Sequence, residues 1–144
     1  MSLFSTFAIS ASGMQVQQKR MDVTAENLAN VNSTKTPEGG PYKRKTAVLG
    51  SVPIGFDKNL GSMIGEPVQA AAVLGIAKSE AAPNMIYDPS HPDANGEGYV
   101  AMPNVNTTME MVDMLTASKA YEANVTVFNS AKSMMLKTMQ IGGE

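Results

Sequence analysis

The sequence predicts a mainly α-helical protein with a small β-rich middle, in which long N- and C-terminal helices pair as a coiled-coil-like domain. Three observations point there. Apolar residues step by three and four near both ends, the middle is dense in glycine and proline, and short extended runs alternate with turn residues between positions 42 and 102.

At the N-terminus Phe4, Phe7, Ala11, Met14, Gln18, Met21, Ala25 and Leu28 fall on one line of a helix, broken by a single polar residue. Ser10, Ser12, Gln15, Gln17, Lys19, Asp22, Glu26 and Asn27 lie between them and make the opposite face wettable. The helix should end within Asn30 to Ser33, where short polar side chains compete with the helical backbone for hydrogen bonds. Thr36 to Pro41 then supplies two prolines and two glycines in a row of turn residues.

Tyr42 to Leu49 alternates as a strand, and its Tyr42-Lys43-Arg44-Lys45 start reads as an edge charged against unwanted pairing. Residues 50–67, with four glycines and two prolines, predict a mobile loop. Val68 to Lys78 predicts a strand, because Gly65 and Pro67 precede it and Gly75 would weaken a helix. Met85-Ile86-Tyr87 and Tyr99 to Met102 are short strands around a dense turn at Ser90 to Gly98, the pattern of a hairpin.

Asn104, Asn106, Thr107 or Thr108 can cap a second helix running from about Thr108 to Ile141, with Glu110 favoured in its first turn by the helix dipole. Its seam reads Met111, Met114, Ser118, Tyr121, Val125, Phe128, Lys132, Met135 and Met139, and Gly142-Gly143 stops it. The chain thus divides into an N-terminal helical segment at 1–34, a β-rich middle at 35–104 and a C-terminal helical segment at 105–144. A middle of about 70 residues is close to the lower limit for a self-sufficient core.

Composition excludes several classes of function. The net charge of −2 is spread without a polycationic segment, which argues against nucleic acid as a partner. The absence of cysteine removes disulfides and thiolate metal sites. No stretch reaches the roughly 18 to 20 apolar residues of a membrane span, and the uncharged, serine-interrupted start does not read as a cleavable leader. The single histidine, His91, lies between Ser90 and Pro92 and reads as a solvated turn residue. Asp88, Asp93, Asn95, Gly96 and Glu97 are oxygen-rich, but their spacing does not fit a twelve-residue calcium loop. No phosphate-cradling glycine loop or nucleophile motif occurs, so no catalytic residue, cofactor or metal ligand is assigned. The twelve methionines, several of them on the helical seams, suit contacts with non-identical neighbours.

Several segments resemble one family. Leu3-Phe4, Ser10-Ala11-Ser12-Gly13-Met14, Arg20-Met21-Asp22-Val23, Ala25 to Asn32 and Gly39-Gly40-Pro41-Tyr42-Lys43-Arg44-Lys45 are similar to the N-terminal signature of bacterial flagellar rod proteins. Tyr87 to Pro92, Gly98-Tyr99-Val100, Met102 to Asn106, Glu110-Met111-Val112, Ala120 to Asn124 and Lys132 to Lys137 narrow the resemblance to the proximal-rod branch. Gln17-Gln18 departs from that pattern, and residues 50–83 match it poorly.

The resemblance implies a structural subunit of the flagellar basal body. Such a subunit is exported through the flagellar type III apparatus without a cleaved leader and builds the hollow drive shaft in the periplasm. Implied partners are copies of itself and the rod proteins FlgB, FlgF and FliE. On this reading Phe4, Phe7, Met14, Met21 and Leu28 pack with Met111, Met114, Tyr121, Val125, Phe128, Met135 and Met139, within a subunit and across to its neighbours. The rival readings are a helical adaptor or export chaperone binding one partner in a closed complex, and a ligand-binding β domain over residues 42–102.

Overall fold

The computed structural model describes residues 3–54 and 68–141. Helix α1 spans Leu3–Ala29 and helix α2 Thr107–Ile141, about 40 and 50 Å long at the helical rise. They run antiparallel: the Phe7 ring meets the Phe128 ring edge-on at 4.9 Å, Gly13 faces Asn124, and Asn27 meets Glu110. Carried on, this register puts the last two turns of α2 beyond Leu3.

The predicted ends of both helices are built by side-chain bonds. Asn30 Nδ2 donates 2.9 Å to Glu26 O and Ser33 Oγ donates 3.1 Å to Asn30 Oδ1, which closes α1. Asn106 caps α2, its Oδ1 accepting the Met109 N–H at 3.1 Å. Gly39 and Gly40 have φ of 89° and 73°, which lets the 36–40 turn close through Thr36 N–H to Gly40 O at 2.9 Å. Tyr42 N–H then donates 3.0 Å to Ser33 O, returning the chain to the end of α1.

Strand β1 covers Lys45–Ile54 and pairs antiparallel with β2, Val68–Lys78, from Lys45↔Lys78 to Ile54↔Val68, with an irregularity between Val48 and Leu49. This ribbon lies on α1, burying Ala70. Strands β3, Asn84–Tyr87, and β4, Tyr99–Met102, form the predicted hairpin, with Val100 buried beneath it.

Two expectations are corrected. The first strand begins at Lys45 rather than Tyr42 and runs on through Ile54, so residues 50–54 of the predicted loop are strand; residues 55–67 lie outside the described residues. The cause is that Tyr42 and Arg44 are turned inward, as described below. The second concerns the helical line. Among the described side chains of α1, Ser10, Val16, Val23, Thr24 and Asn27 are buried, so Ser10 and Asn27 leave the expected wettable face, whereas Gln18 and Ala25 of the predicted seam are exposed. On α2 the buried positions are Glu110, Ala117 and Ala131, flanked by half-buried Met114, Tyr121 and Phe128. The helices approach most closely over small and polar residues, and a search for bulk finds the flank of that line.

Candidate functional site

Where α1 ends, α2 begins and the ribbon starts, four polar side chains meet. Asn27 lies in the last turn of α1 and is 1% exposed. Its Nδ2 donates to Glu110 Oε2 at 2.9 Å and to Lys45 O at 2.8 Å. Its Oδ1 accepts the Tyr42 hydroxyl and the Lys45 N–H, both at 2.9 Å. All four bonding positions of the amide are thereby used.

Glu110 is fully buried in the first turn of α2, and its other oxygen accepts the Arg44 Nε–H. A buried carboxylate is costly unless paired and hydrogen-bonded, and Arg44 with Asn27 supplies both conditions. Arg44 extends the pairing to Asp113 at 3.2 Å and to Thr46 Oγ1 at 3.0 Å. Burial first, then the negative charges of Glu26 and Glu110, push the Tyr42 hydroxyl up to about 12, so it stays a donor to Asn27 across the neutral range. Lys45 reaches Glu26 on α1.

Asn104 repeats the device at the ribbon base. Its Oδ1 accepts the Arg44 N–H at 2.9 Å, and its Nδ2 donates to Ser79 Oγ at 3.1 Å and Ala81 O at 2.9 Å. The β3–β4 turn is tied back by Asp93, which takes Thr34 Oγ1–H at 2.7 Å and pairs with Lys35. The Lys35 and Thr34 bonds hold the Asp93 carboxyl below the usual carboxylate range. Among the described residues no buried side-chain polar atom lacks a partner.

The Tyr42 to Lys45 segment is therefore a junction rather than a charged edge, with Lys43 alone of its four side chains exposed. Asn27, Tyr42, Arg44, Asn104 and Glu110 were not picked out as site residues from the sequence. One signal lay there: an asparagine inside a helix is disfavoured by propensity and calls for a tertiary partner. His91 sits in its turn with Nδ1 accepting the Asp93 N–H at 3.1 Å. Among the described residues no three His, Cys, Asp or Glu side chains are grouped to hold a metal ion, and no helix is long and apolar enough to cross a membrane.

The predicted interface residues fall into two groups. Phe7, Met14, Met21, Leu28, Met114, Tyr121, Val125, Phe128 and Met135 are half-buried in the single chain. Met111 and Met139 are 59% and 63% exposed; the Phe4 side chain lies outside what is described. Sequence reasoning passed over a further strip of α2. Met109, Val112, Val127, Met134 and Ile141 are all exposed and share one face at about 100° per residue. The junction, in turn, ties both helices to the ribbon, each member being held from two or more directions.

Two family models match the helical ends. The family described as "Flagella basal body rod protein" matches residues 7–35, and "Flagellar basal body rod FlgEFG protein C-terminal" matches residues 97–141. Curated relatives match nearly the whole chain. The flagellar basal-body rod protein FlgC of Bacillus subtilis is 40% identical over 149 residues, covering 99% of each chain. FlgC of Borreliella burgdorferi is 38% identical over 156 residues with 98% of each covered, and FlgC of Salmonella typhimurium is 38% identical over 142 residues with 99% of each covered. With identity of 38 to 40% and 98 to 99% of each chain covered, the chain belongs to the FlgC family of flagellar basal-body rod proteins.

Proposed function

We propose that the protein is a structural subunit of the proximal rod of the bacterial flagellar basal body, polymerising through its terminal helices into the hollow shaft that transmits torque. The observation that carries this reading is the exposed apolar surface of α2, where Met109, Val112, Val127, Met134 and Ile141 line one face and Met111 and Met139 are exposed on another side of the helix. Fully burying such a side chain contributes about 1.5 to 3 kcal/mol, so neighbours that cover the strip gain a large stabilisation.

In this reading the 1–34 and 105–144 segments form the coiled-coil-like wall and residues 35–104 face outward. The half-buried residues Phe7, Met14, Met21, Leu28, Met114, Tyr121, Val125, Phe128 and Met135, with Phe4, Met111 and Met139, close the contacts between subunits. The neighbours are copies of the chain and the rod proteins FlgB, FlgF and FliE. Delivery is by the flagellar type III export apparatus, without a cleaved leader, and the rod stands in the periplasm. The work is mechanical, and no reaction is catalysed.

The test is assembly and motility together. Met111→Ser with Met139→Ser should leave monomer melting unchanged, abolish growth of the chain into open helical assemblies with its rod neighbours, and fail to restore swimming in a host lacking its own copy. A closed complex of fixed mass with a single partner, unaffected by the two substitutions, would favour the adaptor reading.

A further inference from the structure

The turn between β3 and β4 holds the one Asn-Gly step of the chain, Asn95-Gly96. Three features of that turn bear on the chemistry of the step. Asn95 Oδ1 accepts two backbone bonds, from Glu97 N–H and Tyr99 N–H, each 2.9 Å. Two such donors stand where negative charge develops when a carbonyl is attacked, and they polarise Cγ. Among the described residues, Asn95 Nδ2 and the Gly96 N–H donate to no protein acceptor, so the leaving nitrogen is free and the attacking nitrogen is open to water. Gly96 is exposed, and a Cβ placed there would meet nothing within 4 Å, so no residue beyond its chain neighbours crowds that side of the glycine. The turn itself is held by Asn95 N–H to Tyr99 O at 2.8 Å and Gly98 N–H to Asn95 O at 3.0 Å.

We propose that Asn95-Gly96 is a self-modifying site whose asparagine converts to aspartate with water as the sole co-reactant. The Gly96 amide nitrogen gives its proton to water and attacks Asn95 Cγ. The new C–N bond closes a five-membered succinimide, the Cγ–Nδ2 bond breaks, and Nδ2 takes up a proton and leaves as ammonia. Water then adds at Cγ, breaks the Cγ–N bond and restores the normal backbone. The Glu97 and Tyr99 N–H groups direct that second addition to Cγ rather than to the backbone carbonyl, because they polarise the side-chain carbonyl. The product carboxylate keeps both bonds and adds a negative charge to a turn that already carries Asp88, Asp93 and Glu97. No electron is gained or lost.

The experiment is peptide mass mapping of the full chain held in mildly alkaline buffer. The one-dalton gain should arise at Asn95 roughly tenfold or more faster than at Asn32 or Asn129, each of which precedes a serine. Hydroxylamine should cleave the ageing chain between residues 95 and 96 by trapping the succinimide. Aspartate should predominate over isoaspartate in the folded chain and lose that predominance in urea. Gly96→Ala, verified as folded by its melting curve, should slow the gain by roughly tenfold or more. Equal rates at the three asparagines, isoaspartate predominance in the folded chain, or an unaltered rate in Gly96→Ala would each overturn the proposal.

Discussion

Asn27 Nδ2 donates to Glu110 Oε2 at 2.9 Å across 83 residues of sequence, and this bond joins the end of the first helix to the start of the second. It is buried, and both partners are bonded elsewhere, Asn27 to the ribbon backbone and to Tyr42, Glu110 to Arg44. Helix pairing and ribbon placement are therefore one event in which three remote segments satisfy each other.

Asn27→Ala removes four bonds and leaves a buried carboxylate and a buried hydroxyl short of partners. The expected loss is about 3 to 5 kcal/mol of unfolding free energy, measured by urea titration. Asn27→Ser, which restores part of the bonding, should lose less. Equal losses would count against the network.

Arg44→Ala and Glu110→Ala should be strongly non-additive, because Arg44→Ala strands the buried Glu110 carboxylate, a cost that disappears once Glu110 is also removed, whereas Arg44 without Glu110 keeps Asp113. A double-mutant cycle should return a coupling of about 2 to 3 kcal/mol. Coupling within error of zero would mean that the pair is no more than a solvated contact.

Gly13→Ala places a Cβ 2.7 Å from Asn124 Oδ1 and 3.0 Å from its Cγ, closer than Cβ atoms approach. The substitution gains about 1 kcal/mol of helix propensity yet should destabilise the pair by about 1 to 3 kcal/mol. In an Asn124→Ala background the same change should turn stabilising. Thermal melts of the four chains check the reversal of sign.

Stability should fall in alkaline solution through Tyr42. Its folded value of about 12 lies above the ordinary 10, so the native state holds the hydroxyl proton more tightly than the unfolded chain. The contribution is full below about pH 10 and is lost as pH climbs to about 12, on the order of 2 to 3 kcal/mol. Tyr42→Phe should flatten that part of the pH profile while lowering stability at neutral pH through the loss of one of the two bonds to Asn27 Oδ1.

In the monomer, the last two turns of α2 run past the described start of α1, and residues 136–141 are exposed. Limited proteolysis should cut there first, and rod assembly should protect the same bonds. Equal protection in a verified monomer would contradict coupling between assembly and terminal order.

Both helices, the Val68–Lys78 strand and the β3–β4 hairpin were legible because their causes are local: periodicity, asparagine at the helix ends, and glycine and proline in the turns. Residues 50–54 misled, since Gly50 and Pro53 read as loop until a partner strand at Val68–Ala72 is seen to accept them. Arg44 and Glu110 read as a surface cation and a dipole-placed anion, because a charged residue carries no local mark of burial.

Amino-acid order alone determined that this chain has two long amphipathic helices around a β-rich middle, and the segments that resemble rod proteins. Only the tertiary structure decided which face of each helix is innermost, that Gly13 and Asn124 set the helical approach, and that Asn27, Arg44, Tyr42 and Glu110 form one buried junction. The physical reason is range. Periodicity and capping act over a few residues, whereas pairing a buried charge or admitting a close contact depends on what a segment 60 or more residues away brings to it.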